Sequence, residues 1–217
     1  INEGEFKVMS LSSFGKPIYE NELKKIFDID NFKINMDYFE FHKNPSKSFS
    51  KKLCEVFGEP YLNINEEANF NKYADIASSA QLILEHTMKN LIQKAIDLSG
   101  KRKVVLTGGI ALNCKMVHSL SKQNIFDELI VPPSPGDSGS AIGAANFAFL
   151  EKSKTKTLNF SNIFLGPKKN LINKKEKKDN FFSKINLTND FTIDAATKLI
   201  EGEIIASYYG SNEVGPR

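Results

Sequence analysis

Arginine is almost missing from this chain. Of 29 basic residues only Arg102 and Arg217 are arginines, and the rest are lysines. Bidentate arginine is the commonest device for reading base edges, so its scarcity weighs against nucleic acid as a partner. The net charge of +3 identifies no partner either. Only two cysteines occur, Cys54 and Cys114, and they lack CxxC spacing. With no secretory leader pattern, a reducing cytoplasm is the expected compartment. No apolar run approaches the roughly 18 residues that a membrane span needs, and the longest, AIGAANFAFL, suits a buried helix. The three histidines, His42, His86 and His118, show no HxxxH spacing. An initiator methionine is also lacking, and the chain stops on GSNEVGPR just after the apolar EIIASYY. A piece of a longer protein is therefore expected.

What is present describes an ordinary folded protein: 217 residues, 41% hydrophobic, 25% charged and 11% aromatic. That length accommodates one large domain, or one domain and part of another. FKVMSLSSFGKPI, at 6–18, reads as a loop lining something, and 20–28 as a short helix. The partly alternating NFKINMDYFEFHK predicts short strands, and 46–57 a helix stopped by Gly58 and Pro60. The strongest helix covers 70–99, with Tyr73, Ile76, Ala77, Ala80, Leu84, Leu91, Ala95 and Leu98 forming its apolar face. Gly100 ends it. RKVVLTGG then gives a strand and turn, 111–122 a helix, 129–131 a strand, and 138–151 a helix. Such alternation predicts an α/β layer with a parallel or mixed sheet. Beyond it, lysines crowd 151–180 among Asn, Ser and Thr without interleaved aromatics, which marks a solvated linker with an edge strand at LNFSNIF. TIDAATKLIEG reads as a further helix and EIIASYYG as a strand, so a domain boundary is placed near residue 157.

Two turns stand out. In VLTGGIALNC a strand runs into Gly108 and Gly109, with Asn113 just inside the next helix. Paired glycines let the backbone approach a ligand where a Cβ would collide, and the helix start offers free N–H groups to an anion. In PPSPGDSGSAIGAA a loop stops at Asp137 and opens another helix. That carboxylate can cap the helix or face a divalent metal. The small residues Gly139, Ala141, Gly143, Ala144 and Ala145 suit close packing against a neighbour. Both turns would open at one sheet edge, the crevice where α/β proteins hold ligands.

These stretches also resemble a known pattern. GGIALNC, FDELIVPPSPGDSGSAIGAA and EGEFKVMSLSSFGKP are similar to GGVALNC, FDxxxVxPxxGDxGxAxGAA and GKxMGLAxYG of the O-carbamoyltransferases of antibiotic tailoring and nodulation-factor modification. ADIASSAQLILE resembles the family's helix before GGVALNC, and the final GSNEVGPR resembles the start of GxxEFGPRALGxRSI.

The resemblance implies an α/β fold with an actin-like (ASKHA, ribonuclease H-like) domain. Its C-terminal lobe would cover 1–156, and a linker with the N-terminal edge of a carbamoyl-adenylate-forming domain would cover 157–217. It implies an ATP-dependent enzyme that converts carbamoyl phosphate to carbamoyl adenylate, with magnesium and an iron-like divalent metal, and passes the carbamoyl group to the hydroxyl of a small-molecule acceptor. By the same resemblance Gly108, Gly109, Asn113 and Lys7 bind nucleotide or adenylate, Asp137 binds the metal, and Arg217 holds carbamoyl phosphate through its guanidinium fork. The metal histidines would lie upstream, so this chain would hold half a site and be inactive alone. Threonylcarbamoyl transfer to transfer RNA and a non-catalytic nucleotide-binding scaffold are the competing readings.

Overall fold

The computed structural model describes residues 4–60, 67–153, 166, 191–205 and 211. They form a mixed α/β protein, mostly helical, with two small two-stranded sheets. Two compact units divide the chain, Ile1–Ala145 and Asn146–Arg217. The boundary expected near 157, the edge strand LNFSNIF and most of EIIASYYG lie outside the described residues. No helix among the described residues is long and apolar enough to cross a membrane.

The spine of the first unit is a helix we call α4, Glu67–Ser99, about 50 Å long at 1.5 Å per residue. It contains no glycine or proline, and Gly100 ends it at φ +66°, donating its N–H to the Ile96 carbonyl at 2.8 Å. Two hydrophobic clusters form along it. Toward the C-terminal half, Met88, Ile92 and Ile96 pack with Leu106, Ala111, Met116 and Leu120. Nearer the middle, Ile83 packs with Leu23, Ile26 and Tyr38. The single apolar stripe expected from the sequence is therefore corrected. Leu98 is 80% exposed and Leu91 is exposed too, whereas Met88, Ile92 and Ile96 are buried. Partners on different sides pull different i, i+4 lines of the helix into contact.

Before α4 come α1 (Glu5–Leu11), α2 (Glu20–Ile26), the antiparallel pair β1 (Phe27–Asp28) and β2 (Lys33–Ile34), and α3 (Lys51–Phe57). The expected loop at 6–18 is a helix followed by a turn. Its apolar Met9 is buried, and that burial overrides the serines and glycine that suggested a loop. Gly15 in the turn is required by space, because a Cβ there would collide with the Ala74 carbonyl of α4. The Lys16 N–H donates to Asp75 Oδ1 at 2.7 Å and the Tyr19 N–H to Ser79 Oγ at 3.0 Å. These bonds staple the turn to α4.

After α4, β3 (Lys103–Val105) pairs in parallel with β4 (Glu128–Ile130), Val104 opposite Leu129. Between them lie a 3-10 turn, Gly109–Leu112, and α5 (Cys114–Ser121). Helix α6 (Gly139–Lys152) follows β4. Its Ala141, Gly143, Ala144 and Ala145 are exposed, so no described residue makes the close packing expected of them. In the second unit, α7 (Phe191–Ile200) runs to Gly202 at φ +83°. A Lys198–Glu203 ion pair at 2.9 Å lies across its end, and that hydrogen bond holds the Lys198 ammonium above its ordinary pKa.

Candidate functional site

The parallel pairing of β3 and β4 brings their C-terminal ends together, and the ladder continues past the strands. The Leu106 N–H donates to the Ile130 carbonyl at 2.9 Å, and two residues on the Gly108 N–H donates to the Pro135 carbonyl at 2.7 Å. Leu112 Cδ1 lies against Gly136, within ordinary contact of where a Cβ would stand. The glycine turn after β3 and the aspartate loop after β4 are thus joined. Gly108 sits at φ +91° and ψ 164°, backbone that only glycine adopts without strain. Pro135 is buried and has no N–H, so its carbonyl is its one backbone group that needs a partner, and the Gly108 N–H supplies it.

Asn113 is the N-cap of α5, not a residue inside the helix; the 3-10 turn before it delays the helix start. Its Oδ1 accepts the Met116 N–H at 2.9 Å. The same amide pairs reciprocally with Gln81 of α4: Asn113 Nδ2 donates to Gln81 Oε1 at 2.8 Å, and Gln81 Nε2 donates to Asn113 Oδ1 at 3.1 Å. Gln81 Nε2 also donates to Glu85 Oε1 at 2.8 Å. Sequence reasoning missed Gln81. The available signal was a polar residue flanked by apolar ones in SSAQLIL, on a side of the helix that turns out to be buried.

Around Asn113 the C-terminal part of α1 closes in. Cys114 Sγ lies 3.8 Å from Met9 Sδ, and Lys115 Nζ donates to Ser12 Oγ at 2.8 Å. The buried Ser12 hydroxyl in turn donates to the Met9 carbonyl at 2.6 Å. Lys7 does not join this cluster. It stands roughly 200° around the helix from Met9, is exposed, and holds its ammonium 6.0 Å from the Phe6 ring.

Asp137 is exposed in the loop before α6. Its main-chain carbonyl accepts from the Ser140 N–H at 3.1 Å and from Ser140 Oγ at 2.6 Å. The carboxylate makes no hydrogen bond or ion pair among the described residues, so it caps nothing. Gly139 holds the loop tight, because a Cβ there would collide with the Ser134 carbonyl. Gly109 lies at the start of the 3-10 turn, exposed, with open space where a Cβ would be. Arg217 lies outside the described residues. The structure therefore brings together the turns bearing Gly108, Gly109, Asn113 and Asp137, and leaves Lys7 apart.

Comparison with known proteins gives a consistent picture. Residues 1–146 match the family model for the carbamoyltransferase N-terminus. An uncharacterized protein of Synechocystis is 28% identical over the whole chain, which covers 37% of that protein. The nodulation protein NolO of Bradyrhizobium diazoefficiens is 24% identical over 98% of the chain and 38% of its own length. Nodulation protein U of Sinorhizobium fredii is 31% identical over 59% of the chain and 23% of its length. The chain thus spans less than two-fifths of the length of these relatives.

Proposed function

The chain belongs to the carbamoyltransferase N-terminal family, and from that premise we propose that it forms part of an ATP-dependent O-carbamoyltransferase. The complete enzyme hydrolyses carbamoyl phosphate to carbamate and phosphate, and joins the carbamate to the α-phosphorus of ATP as carbamoyl adenylate with release of pyrophosphate. It then transfers the carbamoyl group to the hydroxyl of a small-molecule acceptor with release of AMP. In this reading the first unit is a lobe of an actin-like domain, and the residues after it lead into the adenylate-forming domain.

The observation that supports this most strongly is the Gly108–Pro135 hydrogen bond at 2.7 Å. It joins two separate turns side by side at the C-terminal ends of β3 and β4. Gly108 and Gly109 leave room for a phosphate or ribose against the backbone. Asn113 contributes an amide to the nucleotide, and Arg217 a guanidinium to carbamoyl phosphate. Lys7, exposed on the far side of α1 from Met9, has no part in this reading.

Asp137 suits a divalent metal, iron by family resemblance, because its exposed carboxylate has no competing partner among the described residues. Among the described residues no three His, Cys, Asp or Glu side chains converge there, and the resemblance assigns the histidine ligands to the complete enzyme. The metal, when bound, supplies Lewis acidity at the carbamoyl carbonyl. What the chain itself contributes is position: turns fixed to one another hold the leaving nucleotide in line. With half of the site, the chain alone binds ATP weakly and transfers nothing.

The test is an assay of the full-length protein with carbamoyl phosphate, ATP, magnesium and a panel of sugar and antibiotic alcohols. Acceptor-dependent pyrophosphate release with a carbamate product supports the reading. Absence of pyrophosphate with every acceptor, from protein that is folded and metal-loaded, overturns it.

A further inference from the structure

We infer that Gln81 is a positioning residue, which fixes the Asn113 amide so that it can offer a ligand only an N–H donor. The inference rests on the reading that Asn113 touches the nucleotide. Asn113 Oδ1 accepts from the Met116 N–H at 2.9 Å and from Gln81 Nε2 at 3.1 Å. A carbonyl oxygen has two lone pairs, and both are now taken. Asn113 Nδ2 gives one N–H to Gln81 Oε1 at 2.8 Å, and its second N–H has no partner among the described residues.

The sense of this chain is set at both ends. At one end the Met116 backbone N–H can only donate. At the other, the Glu85 carboxylate, 2.8 Å from Gln81 Nε2, can only accept. Turning either amide over would set N–H against N–H or oxygen against oxygen. Gln81 is only 7% exposed and Asn113 is half-buried, so such mismatches would go largely unrelieved by water. The ligand atom facing Asn113 must therefore be an acceptor: a ribose or phosphate oxygen, or an unprotonated ring nitrogen. An amino group is excluded there.

The experiment measures Mg-ATP affinity by calorimetry, and KM for ATP against kcat, on the full-length protein and three variants, with melting temperatures alongside. Asn113→Asp keeps an N-cap acceptor and loses the outward donor. Gln81→Leu fills the space and releases the amide. The pair Gln81→Glu with Glu85→Gln keeps the sense of the Asn113 amide, because a carboxylate at 81 accepts from Asn113 Nδ2 and from the new amide at 85. Its second oxygen replaces the Nε2 donor, so Asn113 Oδ1 keeps only the Met116 N–H and faces an oxygen.

The expected result is that Asn113→Asp and Gln81→Leu each weaken ATP binding about tenfold, through KM more than kcat, and the pair recovers binding to within about threefold. That recovery comes despite a lower melting temperature, since the pair buries a charge and sets a carboxylate oxygen against Asn113 Oδ1. Parental affinity in Gln81→Leu, with Asn113→Asp weak, overturns the positioning role alone. Affinities that merely follow the melting temperatures overturn it too. Parental affinity in Asn113→Asp removes Asn113 from the nucleotide site and takes the underlying reading with it.

Discussion

The Gly108 amide donates to the Pro135 carbonyl at 2.7 Å, across two loops that follow different strands. This bond extends the β3–β4 ladder beyond the sheet and commits both turns to one position. Residues 27 apart in sequence are thereby held side by side.

Gly108→Ala strains this junction without any clash. Nothing lies within 4 Å of the added Cβ, and the cost comes wholly from φ +91°. A loss of roughly 1–3 kcal/mol is expected. Urea unfolding should show the midpoint falling with the slope unchanged.

Gly139 and Gly143 lie one turn apart on α6 and should respond in opposite directions. At 139 a Cβ meets the Ser134 carbonyl, so Gly139→Ala costs about 1–3 kcal/mol and shifts the loop bearing Asp137. At 143 nothing lies within 4 Å, and Gly143→Ala should stabilise the chain by about 0.5–1 kcal/mol through helix propensity. Thermal unfolding of the two variants of this chain distinguishes these signs.

The Asn113–Gln81 pair should show strong coupling in stability. Asn113→Ala removes a cap, about 1 kcal/mol, and strands the buried Gln81 amide at a further cost of roughly 1–3 kcal/mol. Adding Gln81→Leu removes the stranded group, so the double variant should lose less than the sum of the singles. A double-mutant cycle in urea should give a coupling energy of about 1 kcal/mol or more; simple additivity would mean the amides do not interact in solution.

The sequence exposes these features unevenly, for physical reasons. Helix α4, both parallel strands, α6 and α7 are legible because glycine stops and 3.6-residue periodicity are local signals. Helix α1 is not, since its identity depends on Met9 finding a buried place against other elements. The packing lines of α4 are likewise unreadable alone, because two clusters choose them. At Asn113 the residues 111–122 look continuously helical, and only the 3-10 turn Gly109–Leu112 shifts the cap to 113. Gln81 lies 32 residues from its partner, a distance at which no pattern in one sequence joins two amides.

The central claim, that these joined turns hold nucleotide and metal for carbamoyl transfer, is tested most directly at Asp137. Its carboxylate is exposed and without a partner among the described residues, so Asp137→Ala should leave stability within about 0.5 kcal/mol. In the full-length protein the same change should abolish acceptor-dependent carbamoyl transfer and lower the metal content. A variant that keeps its full metal complement and transfers carbamoyl groups at the parental rate would contradict the account.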